Sequence, residues 1–123
     1  MLAQKIKVLI ADDHIIFRRG LKMLLASIDG IELVGEAENG LDLLAVAGRY
    51  TPDVFLIDIS MPVMDGVTAI REIRKMDTNI PIIVLSASNH QEEIDAAFKE
   101  GANEFLRKPV SSWELYTAMA KFL

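Results

Sequence analysis

Five polar or charged side chains that could carry chemistry follow short apolar runs of the chain: Asp12, Asp13, Asp58, Ser86 and Lys108. Carboxylates sharing one pocket would repel one another by roughly 4 kcal/mol per close pair at an effective dielectric constant near 20, and a divalent cation relieves that repulsion. Oxygen ligands fit the hard ions Mg²⁺ and Mn²⁺. An added ammonium and hydroxyl group would stabilise a phosphoryl group in transfer, with Asp58 as the nucleophile that forms an acyl phosphate.

The apolar runs predict strands of a parallel sheet that brings these side chains to one edge. The run ending at Asp58 is followed by a turn marked by Pro62 and Gly66, which indicates a buried strand with its carboxylate at an open edge. Helical periodicity follows each run, so five strand-helix repeats predict one α/β domain. Right-handed crossovers and the more polar or shorter second and fifth runs favour the order 2-1-3-4-5, a flavodoxin-like three-layer sandwich with five helices.

Apolar positions at helical spacing and capping residues predict where the helices bury their faces. The predicted stripes are Phe17, Leu21, Leu24, Leu25 and Ile28; Leu41, Leu44, Ala45 and Gly48; Val67, Ile70 and Ile73; Ile94, Ala97 and Phe98; and Leu115, Met119 and Phe122. The predicted caps are Asn39 with Asp42, Asn89 with Glu92, Ser111 with Glu114, and Gly101 at a helix C-terminus.

Length, charge and cysteine content exclude several classes of function. The 123 residues fit one domain, and a formal charge of −5 argues against binding nucleic acid through its phosphates. Without cysteine the chain has no disulfide, thiolate metal site or thiol nucleophile. No apolar run approaches membrane-spanning length, and the N-terminus lacks the apolar core of a signal peptide, so we expect a cytoplasmic protein that does not enter membranes.

The order of the motifs resembles the receiver domain of two-component response regulators across essentially the whole chain, residues 1–123. The matching segments are Ala11-Asp12-Asp13, Asp58 with Met61-Pro62 and Asp65-Gly66, Ser86-Ala87, and Lys108-Pro109. Each segment alone is a weak signal, whereas all of them in order, each at a predicted strand end, are highly specific.

The resemblance implies that Asp58 accepts a phosphoryl group from a phosphohistidine on a sensor histidine kinase or phosphotransfer protein. It implies that Asp13, Asp58 and the backbone carbonyl of Ser60 hold Mg²⁺, while Asp12 acts mainly through a metal-bound water. It also implies that Lys108 binds the phosphoryl oxygens and precedes a cis proline. The domain would be a regulatory phosphoacceptor rather than an enzyme, although it would hydrolyse its own acyl phosphate.

The resemblance also implies a conformational switch in which Ser86 moves toward the phosphoryl group and Phe105 rotates inward. Ser86 replaces the more frequent Thr and keeps its hydroxyl, and Phe105 replaces the frequent Tyr, so the ring would switch without a hydroxyl to tether it. Ser60 and Ser88 occupy the positions that influence hydrolysis, and their small size leads us to expect an intermediate phosphoryl lifetime.

The output of the switch is open to two interpretations. Ala11-Asp12-Asp13-His14 with Arg18-x-Gly20-Leu21 resembles the subgroup that carries a LuxR-type helix-turn-helix domain, and the apolar end Ala118–Leu123 suggests a receiver cut from a longer transcription regulator. The alternative is a stand-alone receiver that controls a protein partner. Whether the domain forms a homodimer is open.

Rival classes have weaker support. A metal-dependent phosphatase with an aspartyl nucleophile typically has a second Asp where this chain has Ser60, and a nucleotide- or flavin-binding module would need a glycine-rich phosphate loop that is absent. A phosphorylation-independent interaction domain would not need the full acidic set and Lys108. We expect His14 and His90 to be exposed rather than metal ligands. Trp113, Tyr116 and the methionines are interpreted as ordinary packing, with part of the two aromatic residues lining a partner face as the alternative.

Overall fold

A computed structural model describes residues 4–76, 79–87 and 90–122. Strands and helices alternate along the chain: β1 (Ile6–Ala11), α1 (Ile15–Ala26), β2 (Ile31–Ala37), α2 (Gly40–Arg49), β3 (Val54–Asp58), α3 (Gly66–Met76), β4 (Ile82–Ser86), α4 (Gln91–Glu100), β5 (Glu104–Arg107) and α5 (Ser112–Ala120). All strand pairs are parallel, in the order β2-β1-β3-β4-β5. The predicted flavodoxin-like architecture is therefore confirmed, with its switch point between β1 and β3.

Helices cover both faces of the sheet, which explains why β3 and β4 are buried along their whole length. One apolar layer joins α2, α3 and α4 to the sheet and includes Leu9, Leu43, Phe55, Ile57, Ile70, Ile73 and Ile94. The other joins α1 and α5 to the opposite face and includes Val8, Ile10, Leu21, Leu25, Leu56, Leu115 and Met119. The edge strands β2 and β5 are less buried, as their composition predicted.

The predicted helix faces are correct in part. Leu21 and Leu25 of α1 are buried, as are Ile70 and Ile73 of α3. Two further predictions were wrong. In α2 the buried side chain is Leu43, whereas Leu41 is 56% exposed; in α4 Phe98 is 43% exposed. The stripe predicted for α2 is shifted relative to the buried face, because neighbouring faces of a short helix fit the same periodicity. In α4, Ile94 and Ala97 are buried as predicted, and only Phe98 lies at the margin.

Three of the four predicted helix caps are present in the structure. Asn39 Oδ1 accepts a hydrogen bond from the backbone N–H of Asp42 at 2.7 Å. Ser111 and Glu114 form a reciprocal capping box. Gly101 ends α4 with φ of +124°. The predicted capping box at Asn89 lies outside the described residues, and the residue that precedes α4 is His90.

Several aromatic and methionine side chains interpreted as core are on the surface. Trp113 is 73% exposed and Tyr116 is 49% exposed, so the prediction of ordinary packing was wrong for both. Met61 and Met119 are buried, whereas Met23 is exposed. Surface exposure of a single apolar side chain is common and does not by itself identify a partner face.

At the amino-terminal edge of β4 and β5, the guanidinium of Arg74 joins α3 to the segments that precede both strands. It donates hydrogen bonds to the carbonyl oxygen of Ile80 at 2.8 Å and to that of Gly101 at 2.8 Å and 3.2 Å. It also donates to Asn103 Oδ1 at 2.9 Å, which accepts a second bond from the backbone of Ile82. Arg74 therefore holds three segments together.

Within the described residues no helix is long and apolar enough to cross a membrane.

Candidate functional site

The carboxyl-terminal edge of the central strands gathers the acidic side chains singled out in the sequence. Asp12 follows β1 and Asp58 ends β3, and both are buried, at 0% and 2% exposure. Asp13 and His14 lie beside them toward solvent. One ligand atom from each of these four residues lies within 4.8 Å of the others. The parallel sheet thus brings residues 46 positions apart into one cluster.

Lys108 enters this cluster from the segment after β5. Its Nζ lies 2.6 Å from Asp12 Oδ2 and 3.4 Å from Asp58 Oδ1. The shorter contact is an ion pair whose geometry is not that of an aligned hydrogen bond. Nζ also lies 4.2 Å from the centre of the Phe17 ring, a cation-π distance. Lys108 therefore pairs more closely with Asp12 than with Asp58. The peptide bond between Lys108 and Pro109 is cis, as the resemblance implied.

The Asp58 carboxyl group is in an unusual electrostatic environment. Burial, and then the charge of Asp12, raise the pKa of Asp58 to about 6, while Lys108 and the backbone N–H of Ser60 act in the opposite direction. That N–H donates to Asp58 Oδ1 at 3.4 Å. Among the described residues no group donates a hydrogen bond to Asp58 Oδ2, which is buried. An unsatisfied buried oxygen is costly, so this atom is suited to a ligand.

His14 is largely exposed, as predicted, yet its ring reaches the acidic cluster. Its Nδ1 lies 3.2 Å from Asp12 Oδ1, 3.3 Å from Asp13 Oδ1 and 3.8 Å from Asp58 Oδ2. The backbone N–H of His14 donates to Asp12 Oδ1 at 2.8 Å, which orients the turn after β1. His14 adjoins the acidic pair in the sequence, but the placement of its imidazole among the carboxylates was not predicted, because its rotamer depends on their positions.

Two glycines allow the β3-α3 loop to pack closely beside Asp58. A Cβ on Gly66 would lie 2.6 Å from the carbonyl oxygen of Asp58, and one on Gly40 would overlap that of Met64. The backbone N–H of Gly40 donates to this Met64 oxygen at 2.9 Å, so the loop is fastened to the start of α2. Between them, Val63 has φ of 68°, a left-handed conformation that is strained for a β-branched residue.

A second set of charged residues holds the segment that carries Asp12. Arg18 Nη1 donates to the backbone carbonyl of Asp12 at 2.5 Å, and Arg18 Nε donates to Glu36 Oε1 at 2.9 Å. Lys22 Nζ lies 2.8 Å from the other Glu36 oxygen. The hydrogen bond from Lys22, followed by that from Arg18, lowers the pKa of Glu36 despite its partial burial. This positioning contact of Arg18 was not predicted, because its two partners come from different segments of the chain.

The other predicted residues lie at the end of β4, in β5 and in the loop after β3. Ser86 ends β4 and is buried, and Phe105 in β5 is half-buried against the layer formed by α2, α3 and α4. Ser60 is exposed and lines an open cleft of about 490 Å³, together with Asp13 and Asp65. Ser88 lies outside the described residues. The cleft gives solvent and ligands access to the acidic side chains.

The acidic set fits a divalent cation. It offers carboxylate oxygens, which are the ligands that Mg²⁺ prefers, and it includes the buried, unsatisfied Oδ2 of Asp58. Burial, and then the charge of Asp12, raise the pKa of Asp58, and positive charge at this position would favour the ionised carboxylate.

Residues 8–120 match the sequence profile of the response regulator receiver domain. The chain belongs to this family. It is 41% identical over 109 residues to the uncharacterised transcriptional regulatory protein YhcZ of Bacillus subtilis, covering 89% of this chain and 51% of that protein. It is 37% identical over 117 residues to the chemotaxis protein CheY of Bacillus subtilis, covering 95% of this chain and 97% of that protein.

A solved structure supports the same assignment. The signal receiver domain of the response regulator NarL from Mycobacterium tuberculosis superposes with a TM-score of 0.90 at 30% identity, covering 97% of this receiver and 96% of that chain. Receiver domains are signalling regulators that bind Mg²⁺ at an acidic pocket, and Asp12, Asp13 and Asp58 form such a cluster here. The receiver spans about half the length of YhcZ, whose name describes a transcriptional regulator.

Proposed function

We propose that this receiver is a Mg²⁺-dependent signalling switch that accepts a phosphoryl group on Asp58 from a histidine kinase or phosphotransfer protein. The observation that carries the proposal is the environment of Asp58 Oδ2: a buried oxygen without a hydrogen-bond donor among the described residues, on a carboxylate whose other oxygen lies 3.4 Å from Lys108 Nζ. A nucleophile with one free oxygen beside a cation is suited to attack on phosphorus.

In the proposed transfer, one carboxylate oxygen of Asp58 attacks the phosphorus of a phosphohistidine, forming an O–P bond as the P–N bond breaks. The electron pair of that bond returns to the imidazole nitrogen, which takes a proton from solvent. Asp13, Asp58 and the backbone carbonyl of Ser60 would hold Mg²⁺, which neutralises charge on the phosphoryl oxygens when it is bound. Lys108, now paired with Asp12, would pair with the transferred group.

Lys108 has a second role before transfer. The nucleophile must be ionised, and burial opposes ionisation of Asp58. The Lys108 charge lowers the pKa of this carboxyl group, although not enough to outweigh burial and Asp12. At neutral pH, above the pKa of about 6, most of the Asp58 population is ionised and ready to react.

Phosphorylation would reach the rest of the domain through Ser86 and Phe105. Ser86 lies at the end of β4, next to β3 in the sheet, and Phe105 lies in β5 on the other side of β4. The Ser86 hydroxyl would move toward the phosphoryl group, and Phe105 would rotate inward. Ser60 and Ser88, both small, are proposed to give an intermediate phosphoryl lifetime.

The output is proposed to be transcriptional, in a cytoplasmic regulator that includes this receiver. Support comes from YhcZ, a transcriptional regulatory protein about twice as long as the matched region. The alternative is a stand-alone receiver, as in the match that spans 97% of Bacillus subtilis CheY. Homodimerisation stays a prediction, and light scattering before and after phosphorylation tests it.

The proposed transfer can be tested by incubating the receiver with acetyl phosphate and Mg²⁺, followed by intact mass spectrometry. We expect the mass gain of one phosphoryl group, lost with EDTA and lost in Asp58→Asn. Asp65→Asn is the matched control: this carboxylate lies on the same loop but caps α3 through the backbone of Thr68 at 2.8 Å. It should retain labelling. Labelling that persists in Asp58→Asn would refute the assignment of the phosphoacceptor.

A further inference from the structure

In both Asp12 and Asp58, one carboxylate oxygen faces Lys108 and the other faces His14. Asp12 Oδ2 and Asp58 Oδ1 face Lys108, at 2.6 Å and 3.4 Å from its Nζ. The opposite oxygens, Asp12 Oδ1 and Asp58 Oδ2, face His14 Nδ1 at 3.2 Å and 3.8 Å, together with Asp13 Oδ1 at 3.3 Å. A cation that avoids the lysine would therefore bind on the side where the imidazole lies.

The spacing of these atoms suits ligands of one ion. Adjacent ligands of an octahedral ion lie about 3 Å apart when each metal–ligand distance is about 2.1 Å. The His14 nitrogen lies 3.2 Å and 3.3 Å from two of the carboxylate oxygens and 3.8 Å from the third. Small movements would complete the geometry, since His14 and Asp13 are exposed and lie on a turn.

A cluster of acids alone does not define a metal site, and a second observation supports this one. Asp58 is 2% exposed, and its Oδ2 has no hydrogen-bond donor among the described residues. His14 Nδ1 lies 3.8 Å from it. This buried oxygen therefore points to a ligand on the His14 side.

We infer that His14 Nδ1 is a direct ligand of transition-metal ions at this site, which gives the receiver a preference for ions such as Co²⁺ over Mg²⁺. Imidazole binds transition ions well, whereas Mg²⁺ prefers oxygen and keeps its waters. The neutral ring would give its Nδ1 lone pair to the metal and carry its proton on Nε2. The inference rests on the proposed function only in sharing its site.

A simpler explanation of the contacts is a hydrogen bond from the imidazole to Asp12. The backbone N–H of His14 already donates to Asp12 Oδ1, so the ring is held near this oxygen in any case. The two explanations differ in one property. Only a ligand forms a nitrogen–metal bond, so the affinity for Co²⁺ separates them.

The test is calorimetric titration of the receiver with Co²⁺ and, separately, with Mg²⁺ at about pH 8, where imidazole is neutral. We expect His14→Ala to weaken Co²⁺ binding about tenfold or more and to change Mg²⁺ binding little. His90→Ala is the matched control, because His90 also precedes a helix but contacts Glu93 rather than the acidic cluster. It should change neither affinity.

Proton NMR of the Co²⁺ complex provides a direct readout of coordination. A bound imidazole gives a solvent-exchangeable ring N–H resonance shifted far outside the normal range, and this resonance should be present in the wild type and His90→Ala and absent in His14→Ala. Asp13→Asn should weaken the binding of both Co²⁺ and Mg²⁺. Equal Co²⁺ affinity in the wild type and His14→Ala would overturn the inference, as would unchanged binding of both ions in Asp13→Asn, which would place them elsewhere.

These titrations contain no phosphodonor. Failure of acetyl phosphate labelling with intact Co²⁺ selectivity would count against the proposed phosphoacceptor only. Normal labelling with no effect of His14→Ala on Co²⁺ would count against the histidine ligand only.

Discussion

The two edges of the sheet differ in how far the hydrogen-bonding needs of their buried polar groups are satisfied. At the amino-terminal edge, the Arg74 guanidinium donates to the carbonyls of Ile80 and Gly101 and to Asn103 Oδ1. At the carboxyl-terminal edge, Asp58 is buried with one oxygen lacking a donor among the described residues. Satisfied polar groups stabilise a fold, whereas an unsatisfied carboxylate costs stability until a ligand binds.

The amino-terminal edge of the sheet contributes to the stability of this receiver, whereas the carboxyl-terminal edge carries the reactive carboxylate. Arg74 joins α3 to the segments that precede β4 and β5 through hydrogen bonds that are all made within the fold. Asp58 and Asp12 repel one another, and the repulsion is a source of affinity for positive charge. Removal of the buried charge should therefore lower stability at the amino-terminal edge, at Arg74, and raise it in the metal-free protein at the carboxyl-terminal edge, at Asp58.

The largest effect is expected at the satisfied edge. Arg74→Leu removes the hydrogen bonds from the guanidinium to the carbonyls of Ile80 and Gly101 and one of the two to Asn103 Oδ1. We expect a loss of about 3 kcal/mol in the free energy of unfolding, measured by urea denaturation. Arg71→Leu is the control, because Arg71 lies on the same helix but forms an exposed ion pair with Glu100. It should change stability little. Equal losses in the two variants would show that Arg74 is not a special contact.

The second-largest change in stability is expected in the loop that follows Asp58. A Cβ on Gly66 would meet the backbone at Asp58 and Ile59, which cannot yield as a flexible side chain would. Gly66→Ala should therefore cost about 2 kcal/mol of stability and slow phosphorylation by displacing Asp58.

Gly48→Ala is the matched control for that variant. Gly48 lies in α2, and a Cβ there would meet nothing within 4 Å. Because alanine favours helix, Gly48→Ala should raise stability by about 0.5–1 kcal/mol. Calorimetric melting of both variants measures the contrast, and a gain in Gly66→Ala would refute the close packing of the loop.

Asp58→Asn should stabilise the metal-free protein at neutral pH. The pKa of Asp58 is raised in the folded state to about 6, so the folded state binds more protons than the unfolded state between about pH 4 and 6. The stability of the wild type relative to Asp58→Asn is therefore greatest at low pH and falls as pH rises through the folded pKa.

We expect the relative loss to reach about 1–2 kcal/mol after allowance for partial solvent screening, measured by urea denaturation in EDTA at several pH values. The same pH series with Mg²⁺ should show a smaller difference, since the cation favours the ionised carboxylate. A difference between the variants that does not vary with pH would contradict the raised pKa.

Sequence reasoning predicted the carboxyl-terminal edge better than the opposite one. Asp12, Asp58 and Lys108 each follow an apolar run, and in a parallel sheet the strand ends share one edge, so their proximity follows from local patterns and topology. Arg74 offered no such signal. Its partners precede two different strands and follow a helix, and only the packed structure brings them within hydrogen-bond distance.

The errors on the helices have a related cause. In α2 the periodicity was compatible with Leu41, but packing against the sheet buries Leu43 instead. Phe98 has a large apolar side chain, yet it lies at the margin of the buried face of α4, where Ala97 takes the inner position. The periodicity of apolar residues predicts that a segment is helical. Which side of the helix faces the core depends on how the helix packs against the sheet.

The smallest predicted effect concerns strain at the reactive edge. Val63 has φ of 68° and is 78% exposed, so its side chain makes few contacts that offset the cost of a left-handed conformation. Val63→Asn should gain about 1 kcal/mol in the free energy of unfolding, because asparagine tolerates this region.

Val63→Ala is the control for that gain. It removes the branch but keeps the Cβ, so it should gain less than asparagine. Differential scanning calorimetry of both variants, with acetyl phosphate labelling in parallel, tests the idea. Loss of stability in Val63→Asn would show that contacts of the valine outweigh its strain. A gain in stability with slower labelling would show that the strained loop helps to hold Asp58 in a reactive position.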